Sequence, residues 1–217
     1  RLDRSDPLVS GLQMLLDLAA GRAHLSDGLA LIESPAVAAH VESLGVQPEE
    51  FSVHLRASGI TWGLNAAHRH KMGAGHIDTG TWRQGLDRLL SGLWLGDAPA
   101  AADATQRPAL PVSGDLGANP ALISTLLDWL DGLLNLLEDW QTNASPAQWA
   151  DRCDQALEKV LGAGADRFDS TAAVELVGQL RAGETEHACS LSMEAAAVED
   201  WLGRTVQDEV RAVSRGG

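Results

Sequence analysis

Apolar positions recur at helical spacing through most of the chain, and helix punctuation bounds the stretches that carry this period. Asp6-Pro7 supplies an N-cap with proline at the first helical position, and Leu8, Leu12, Leu15, Leu16 and Ala19 then form one stripe ending at Gly21. Ser26 is placed to cap a short turn through Ile32. Ser34-Pro35 opens a second helix carrying Val37, Val41 and Leu44 to Gly45, and Pro48-Glu49-Glu50 a third carrying Phe51 and Leu55 to Gly59. From Ile60 to Gly80 the period fails, and Gly63, Gly73 and Gly75 predict a long irregular loop. Helix resumes at Thr81, with Trp82, Leu86, Leu89, Leu90 and Leu93 on one face as far as Gly96.

Residues 97–118 are rich in Ala, Pro, Gly and Asp and lack periodicity, which predicts a flexible linker. Beyond it, Asn119-Pro120 starts the longest helix, where Leu126, Leu130, Leu133, Leu137 and Trp140 step by four and three as in a coiled-coil seam that must pack on another helix. Ser145-Pro146 caps the next, with Trp149, Cys153, Leu157 and Val160 inward, and Ser170 starts one carrying Val174, Val177 and Leu180. The last runs from about Ser192 to Val213 with Val198, Trp201, Leu202, Thr205, Val206 and Val210 on one stripe. No segment has a convincing strand period. The expected architecture is all-α and multi-helix, with a helical half over 1–96, a linker over 97–118 and a helical half over 119–217.

Composition agrees with this and narrows the function classes. Aromatics make up only 4% of the 217 residues, so the core is built from Leu, Val and Ala, which favours helices. Seven of the nine aromatics are Trp within apolar patterns, where they read as core anchors. The formal net charge of -14 repels phosphate and argues against autonomous nucleic-acid binding, so a partner protein is the easier inference. Cys153 and Cys189 have no metal or redox spacing, which fits a reducing cytoplasm. No run is long and apolar enough for a membrane span. The chain opens on Arg1 without methionine and stops at Ser214-Arg215-Gly216-Gly217 after a helical pattern, as expected of a piece excised from a longer protein.

The search for chemistry finds no phosphate-cradling glycine loop and no metalloprotease or esterase signature, and predicts neither a cofactor nor a catalytic residue. His68, His70 and His76 with Asp78 offer three imidazoles and a carboxylate that could surround zinc, but their Gly-rich setting has no preorganising element, so a solvated polar loop is the preferred reading. Glu49-Glu50 and Glu199-Asp200 read as solvated faces rather than acid/base pairs. His68, Arg69, His70 and Lys71 form the one local basic patch, able to touch a phosphate, and Trp62 beside it is a base-stacking candidate that reads better as a buried loop anchor.

At these residues the sequence resembles a known family. Gly59-Ile60-Thr61-Trp62-Gly63-Leu64-Asn65-Ala66-Ala67-His68-Arg69, then Thr81-Trp82-Arg83-Gln84-Gly85-Leu86-Asp87-Arg88-Leu89-Leu90 and Gly92, are similar to two conserved-order blocks of RecC, the gamma chain of exodeoxyribonuclease V. The opening at Asp6-Pro7-Leu8 and the Ser145-Pro146 helix agree in order, and the likeness is strongest over residues 5 to 95. Thr61 departs from the family's arginine, Asn65 from an acidic residue and Leu95 from methionine, so no role of that arginine carries over. The resemblance implies the helical 2B insertion of a helicase-like chain that has lost ATP hydrolysis. Such chains hold RecB and RecD together and guide single strands through protein tunnels. It also implies structural roles for Trp62, Gly63, Trp82, Gly85, Leu86 and Arg88, and leaves His68, Arg69 and Lys71 as the candidate nucleic-acid contact. The rival readings are a free-standing adaptor using the Leu126 to Trp140 seam and a small hydrolase using His68, His70, His76 and Asp78.

Overall fold

The computed structural model describes residues 6–95, 120–162, 168–187 and 192–215. Among these the chain is all-α, with ten helices: α1 (Pro7–Ala20), α2 (Leu25–Ile32), α3 (Pro35–Ser43), α4 (Pro48–Ala57), α5 (Ala66–Lys71), α6 (Trp82–Leu95), α7 (Pro120–Asp139), α8 (Pro146–Lys159), α9 (Thr171–His187) and α10 (Ala195–Arg215). The expected linker over 97–118 lies outside the described residues. No described helix is long and apolar enough to cross a membrane.

α1 is the hub. Asp6 Oδ1 accepts the Leu8 and Val9 amides at 2.9 and 3.1 Å, satisfying two of the amides a helix start leaves open. Beyond the expected stripe, Val9 and Leu18 are also buried, so the helix is apolar around most of its circumference. It packs against α2, α3, α7, α8, α9 and α10. A Cβ at Gly11 would sit 2.8 Å from Leu161 Cδ2, so glycine there lets the end of α8 reach the hub. Residues from both sides of the 97–118 segment thereby enter one continuous core.

The α7 seam meets its expectation: Leu126, Leu130, Leu133, Leu137 and Trp140 are all essentially inaccessible. They are consumed inside the molecule, which removes the surface that the adaptor reading required. Trp140 meets Trp149 edge to face at 5.5 Å, and Trp149 Nε1 donates to the Met193 carbonyl at 2.9 Å. Ser145 and Gln148 form a capping box that starts α8. Ala144 and Met193 exchange both backbone hydrogen bonds, tying the α7–α8 turn to the entry of α10.

Several local expectations are corrected. Ser26 lies inside α2, whose cap position is His24 with Asp27 returning to the His24 amide at 3.2 Å. Leu90 and Val174 are exposed rather than inward, because α6 and α9 turn Gly85, Leu86 and Leu89, and Ala173, Leu176 and Val177, to the core. Glu199 is half-buried: desolvation and the facing Asp17 carboxylate of α1 raise its pKa above the ordinary glutamate value, so it is no freely solvated group. The loop expected over 60–80 contains the short helix α5, because the Asn65 side chain accepts the His68 amide at 2.9 Å and caps it.

Candidate functional site

The two blocks singled out in the sequence fold onto each other and onto the α1–α2 joint. After α1 ends, Ala23 adopts a left-handed conformation (φ 50°), and its carbonyl becomes a shared acceptor for the Gly63 amide (3.1 Å) and Trp82 Nε1 (2.9 Å). Gly63 (φ 80°) also donates to the Arg22 carbonyl at 2.8 Å, and its own carbonyl accepts the Trp82 amide at 3.0 Å. Glycine is demanded here twice over, since a Cβ would also lie 2.7 Å from Arg69 Cγ. Trp82 is fully buried against Gly28 of α2, where any side chain would overlap its ring. Gly85 likewise lets α6 close onto Ile60, Leu86 is buried, and Arg88 folds over Gly59 to donate to the Ser58 carbonyl at 2.7 Å.

Arg69 is the centre of this knot and only 5% exposed, which overturns the expectation of a solvated charged loop at His68 and Arg69, whereas His70, Lys71, His76 and Asp78 are exposed as expected. Its five N–H groups are committed to backbone and one hydroxyl. Nε and Nη2 donate to the Trp62 carbonyl (3.2 and 2.8 Å), Nη2 to Thr61 Oγ1 (3.2 Å), and Nη1 to the Ile77 and Thr79 carbonyls (3.1 and 2.6 Å). The guanidinium also stacks 4.8 Å from the centre of the half-buried Trp62 ring, on which Arg22 packs at 5.5 Å. Burial lowers the Arg69 pKa and the Asp78 charge opposes this, so carbonyl dipoles and Asp78 together hold the buried cation. Thr61, which departs from the family's arginine, is thus a hydroxyl acceptor for Arg69 and a donor to the Gly80 carbonyl.

His68 is buried as well, at 3% exposure. Its Nδ1 accepts the Leu64 amide at 3.3 Å, which requires the neutral ring, and Nε2 is buried without a well-formed hydrogen bond. Desolvation and then the Lys71 charge lower its pKa below the usual histidine value, with the Gly21 carbonyl opposing. A group depressed in the fold releases its proton on folding, so its stabilisation is complete above the unfolded pKa of about 6.5 and falls as pH drops below that toward the folded pKa. The His68→Asn variant is therefore expected to lose less unfolding free energy than the parent chain between pH 7.5 and 5.5, by up to about 1.4 kcal/mol per pH unit, as read by urea denaturation at each pH. Parallel curves would remove His68 as the cause, leaving the similarly depressed His40 and His54.

Of the three candidate nucleic-acid contacts, only Lys71 presents its charge to solvent; its Nζ reaches the Gln141 carbonyl at 3.3 Å. The histidines proposed as ligands are not brought together around one point. His70 and His76 stand with ring centres 6.3 Å apart at the surface, His68 is interior, and Asp78 accepts the Thr81 hydroxyl. Among the described residues no group of three or more His, Cys, Asp or Glu is arranged to hold a metal. Cys153 is buried on α8 and its thiol is pushed up to about 12 by desolvation, which leaves it inert.

One cluster joins residues that no local pattern in the sequence connects. Arg83 grips Glu138 of α7 through Nε (3.0 Å) and Nη2 (2.8 Å), and its remaining donors reach Asp131 (2.8 Å) and Asn135 (2.5 Å). Asn65 adds a 2.7 Å bond to the same carboxylate. The Arg83 hydrogen bond, joined by that from Asn65, holds the Glu138 carboxyl below its ordinary pKa, and Glu138 and Asp131 raise that of Arg83. The blocks are thus clamped to α7, which at 20 residues is one shorter than α10 and so is not the longest helix, contrary to the sequence expectation.

The knot and its clamp use the block residues as a single structural unit spanning the chain. A family profile described as RecBCD enzyme subunit RecC fourth domain matches residues 5–209. The chain belongs to this RecC fourth-domain family. Relatives named RecBCD enzyme subunit RecC agree: one from Mycolicibacterium smegmatis is 27% identical over 76% of this chain and 15% of its own length. Those from Mycobacterium tuberculosis and Escherichia coli K12 are 34% and 29% identical, over 54% and 65% of this chain and 10% and 12% of their own lengths. The chain therefore spans between a tenth and a sixth of these RecC relatives, and the RecC fourth domain is all-α here.

Proposed function

We propose that this chain is a non-catalytic scaffold and DNA-channel piece of a RecC-type subunit, acting in double-strand-break repair and homologous recombination within the cytoplasm. Its partners are RecB-like and RecD-like subunits, and it meets DNA only inside their complex. The observation that carries this is the family match across 5–209, joined to a structure in which the block residues serve packing. It corresponds to a 2B-type helical insertion, organised as halves 1–96 and 119–217 about the 97–118 linker. On its own it hydrolyses neither ATP nor DNA. Within the complex the exposed Lys71 is the residue of the His68, Arg69 and Lys71 trio that meets a phosphate, since Arg69 has no donor to spare.

The test is co-expression of the full-length subunit with its RecB-like and RecD-like partners. A three-subunit particle is expected to purify with ATP-dependent nuclease activity. Lys71→Ala should lower the salt slope of end binding by roughly 0.7 to 0.9, one phosphate contact. A subunit that purifies alone, or ATPase activity residing in this chain, overturns the scaffold reading; an unchanged slope removes DNA from Lys71.

A further inference from the structure

We propose that Asp17 of α1 and Glu199 of α10 form a proton-sensitive latch: sharing one proton they hold α10 against α1, and with both ionised they loosen it about a hinge at Met193. The device belongs to the fold and is independent of the assembly proposed above. Met193 is fixed on both of its backbone groups. Its amide donates to the Ala144 carbonyl at 2.8 Å, and its carbonyl accepts the Ala144 amide at 3.0 Å and Trp149 Nε1 at 2.9 Å. Beyond that anchor α10 packs along α1 and buries Ala195, Val198, Leu202 and Val206, a stripe of modest apolar side chains. Next to this stripe, Asp17 and Glu199 line one cleft of about 350 Å³ together with Val9, Ser10, Gln13 and Val206. The two carboxyls therefore meet across the helix interface, one turn past the hinge, where a change in their mutual interaction acts directly on docking.

The charges around Glu199 all have its own sign. α1 presents Asp17 to it, and α10 itself adds Asp200, which draws Arg204 to a 2.5 Å bond and away from the pair. Among the described residues no lysine or arginine pairs with Asp17 or Glu199. Desolvation, the Asp17 charge and a hydrogen bond to Asp17 raise the Glu199 pKa, as two carboxyls sharing one site do. Protonated, Glu199 donates to the Asp17 carboxylate; ionised, it leaves two like charges facing each other in the cleft. A carboxyl raised in the fold contributes stability that is complete below its unfolded pKa of about 4.3 and is lost as pH rises through the folded value, the opposite sign to His68.

The experiment is amide hydrogen exchange on the full-length subunit, read by mass spectrometry over α10 between about pH 5 and 7.5, with each variant compared with the parent at the same pH so that intrinsic exchange cancels. Glu199→Gln keeps a donor for Asp17 at every pH. It should slow exchange over residues 198–206 relative to the parent, by a factor that grows as pH rises. Asp17→Asn, which gives Glu199 a donor in turn, should slow the same residues, and Glu199→Gln added to it should bring little more. High salt should narrow the difference between Glu199→Gln and the parent at pH 7.5, because it screens the repulsion. Exchange at Ala144 and Met193 should not change. A Glu199→Gln advantage that is constant across pH, or undiminished in the Asp17→Asn background, overturns the shared proton. An effect spread evenly over the other helices overturns the hinge, since the pair would then act on global unfolding. Either result leaves the scaffold reading untouched.

Discussion

Replacing Trp82 by alanine in the 217-residue chain should destabilise it by about 3–5 kcal/mol, as large core truncations do. For a domain of this size that lowers the melting temperature by roughly 6–20 °C. Two losses combine. The indole is fully buried against Gly28 of α2, and its removal leaves a cavity facing that glycine, which has no side chain with which to fill it. Its Nε1 proton is also one of two donors to the Ala23 carbonyl, held in a backbone conformation that alanine seldom adopts. Trp82→Phe retains most of the volume and separates the hydrogen bond from the packing. Thermal melts by circular dichroism read both, and an unchanged midpoint for the alanine variant would move Trp82 out of the core and contradict the fold around it.

Arg69→Met should cost about as much, roughly 3–5 kcal/mol, for a different reason. Methionine fills much of the same volume and removes the expense of burying a cation, yet it strands the carbonyls of Trp62, Ile77 and Thr79, each an unsatisfied acceptor worth about 1–3 kcal/mol when buried. Lysine keeps the charge but has three donors where five are in use, so Arg69→Lys should fall between the two. Urea denaturation should show a lower midpoint with an unchanged slope, and amide exchange should accelerate selectively over 72–80. A methionine variant within 1 kcal/mol of the parent would mean that these carbonyls find water, and that the knot is not organised by Arg69.

The helices were legible where the signals are local. Asp6-Pro7 and Ser145-Pro146 announce α1 and α8 within four residues of the groups they satisfy, and the α7 seam declares its own buried face. The segment from 60 to 80 hides its structure for a complementary reason. His68-Arg69-His70-Lys71 has the composition of a solvated patch, and what holds Arg69 in the interior is a set of carbonyls seven to ten residues away that obey no period. Of the glycines there, Gly63 and Gly80 mark close approaches, to the Arg69 and Thr61 side chains, while Gly73 meets nothing within 4 Å. Arg83 belongs to the second block, while its partner Glu138 lies 55 residues further on, beyond the reach of any local rule. Exposed Leu90 and Val174 show the remaining limit: both fit a helical stripe, and only the crossing of neighbouring helices decides which edge of the stripe is covered.

The hub position of α1 has a consequence for how the molecule comes into being. Its apolar circumference is synthesised first among the described helices, yet the side that meets α10 waits for residues near Val198, Leu202 and Val206. At the ~5–20 residues per second of translation, that interval is on the order of ten seconds or longer. Throughout it a strongly apolar helix stands with part of its surface open to water. Early products can settle α2 and α3 on one flank of α1, but closure of the core is a long-range event with a correspondingly slow search. Cutting the gene within the 97–118 segment would therefore yield a nascent product that chaperones must shield, and whose two fragments need each other present in order to fold.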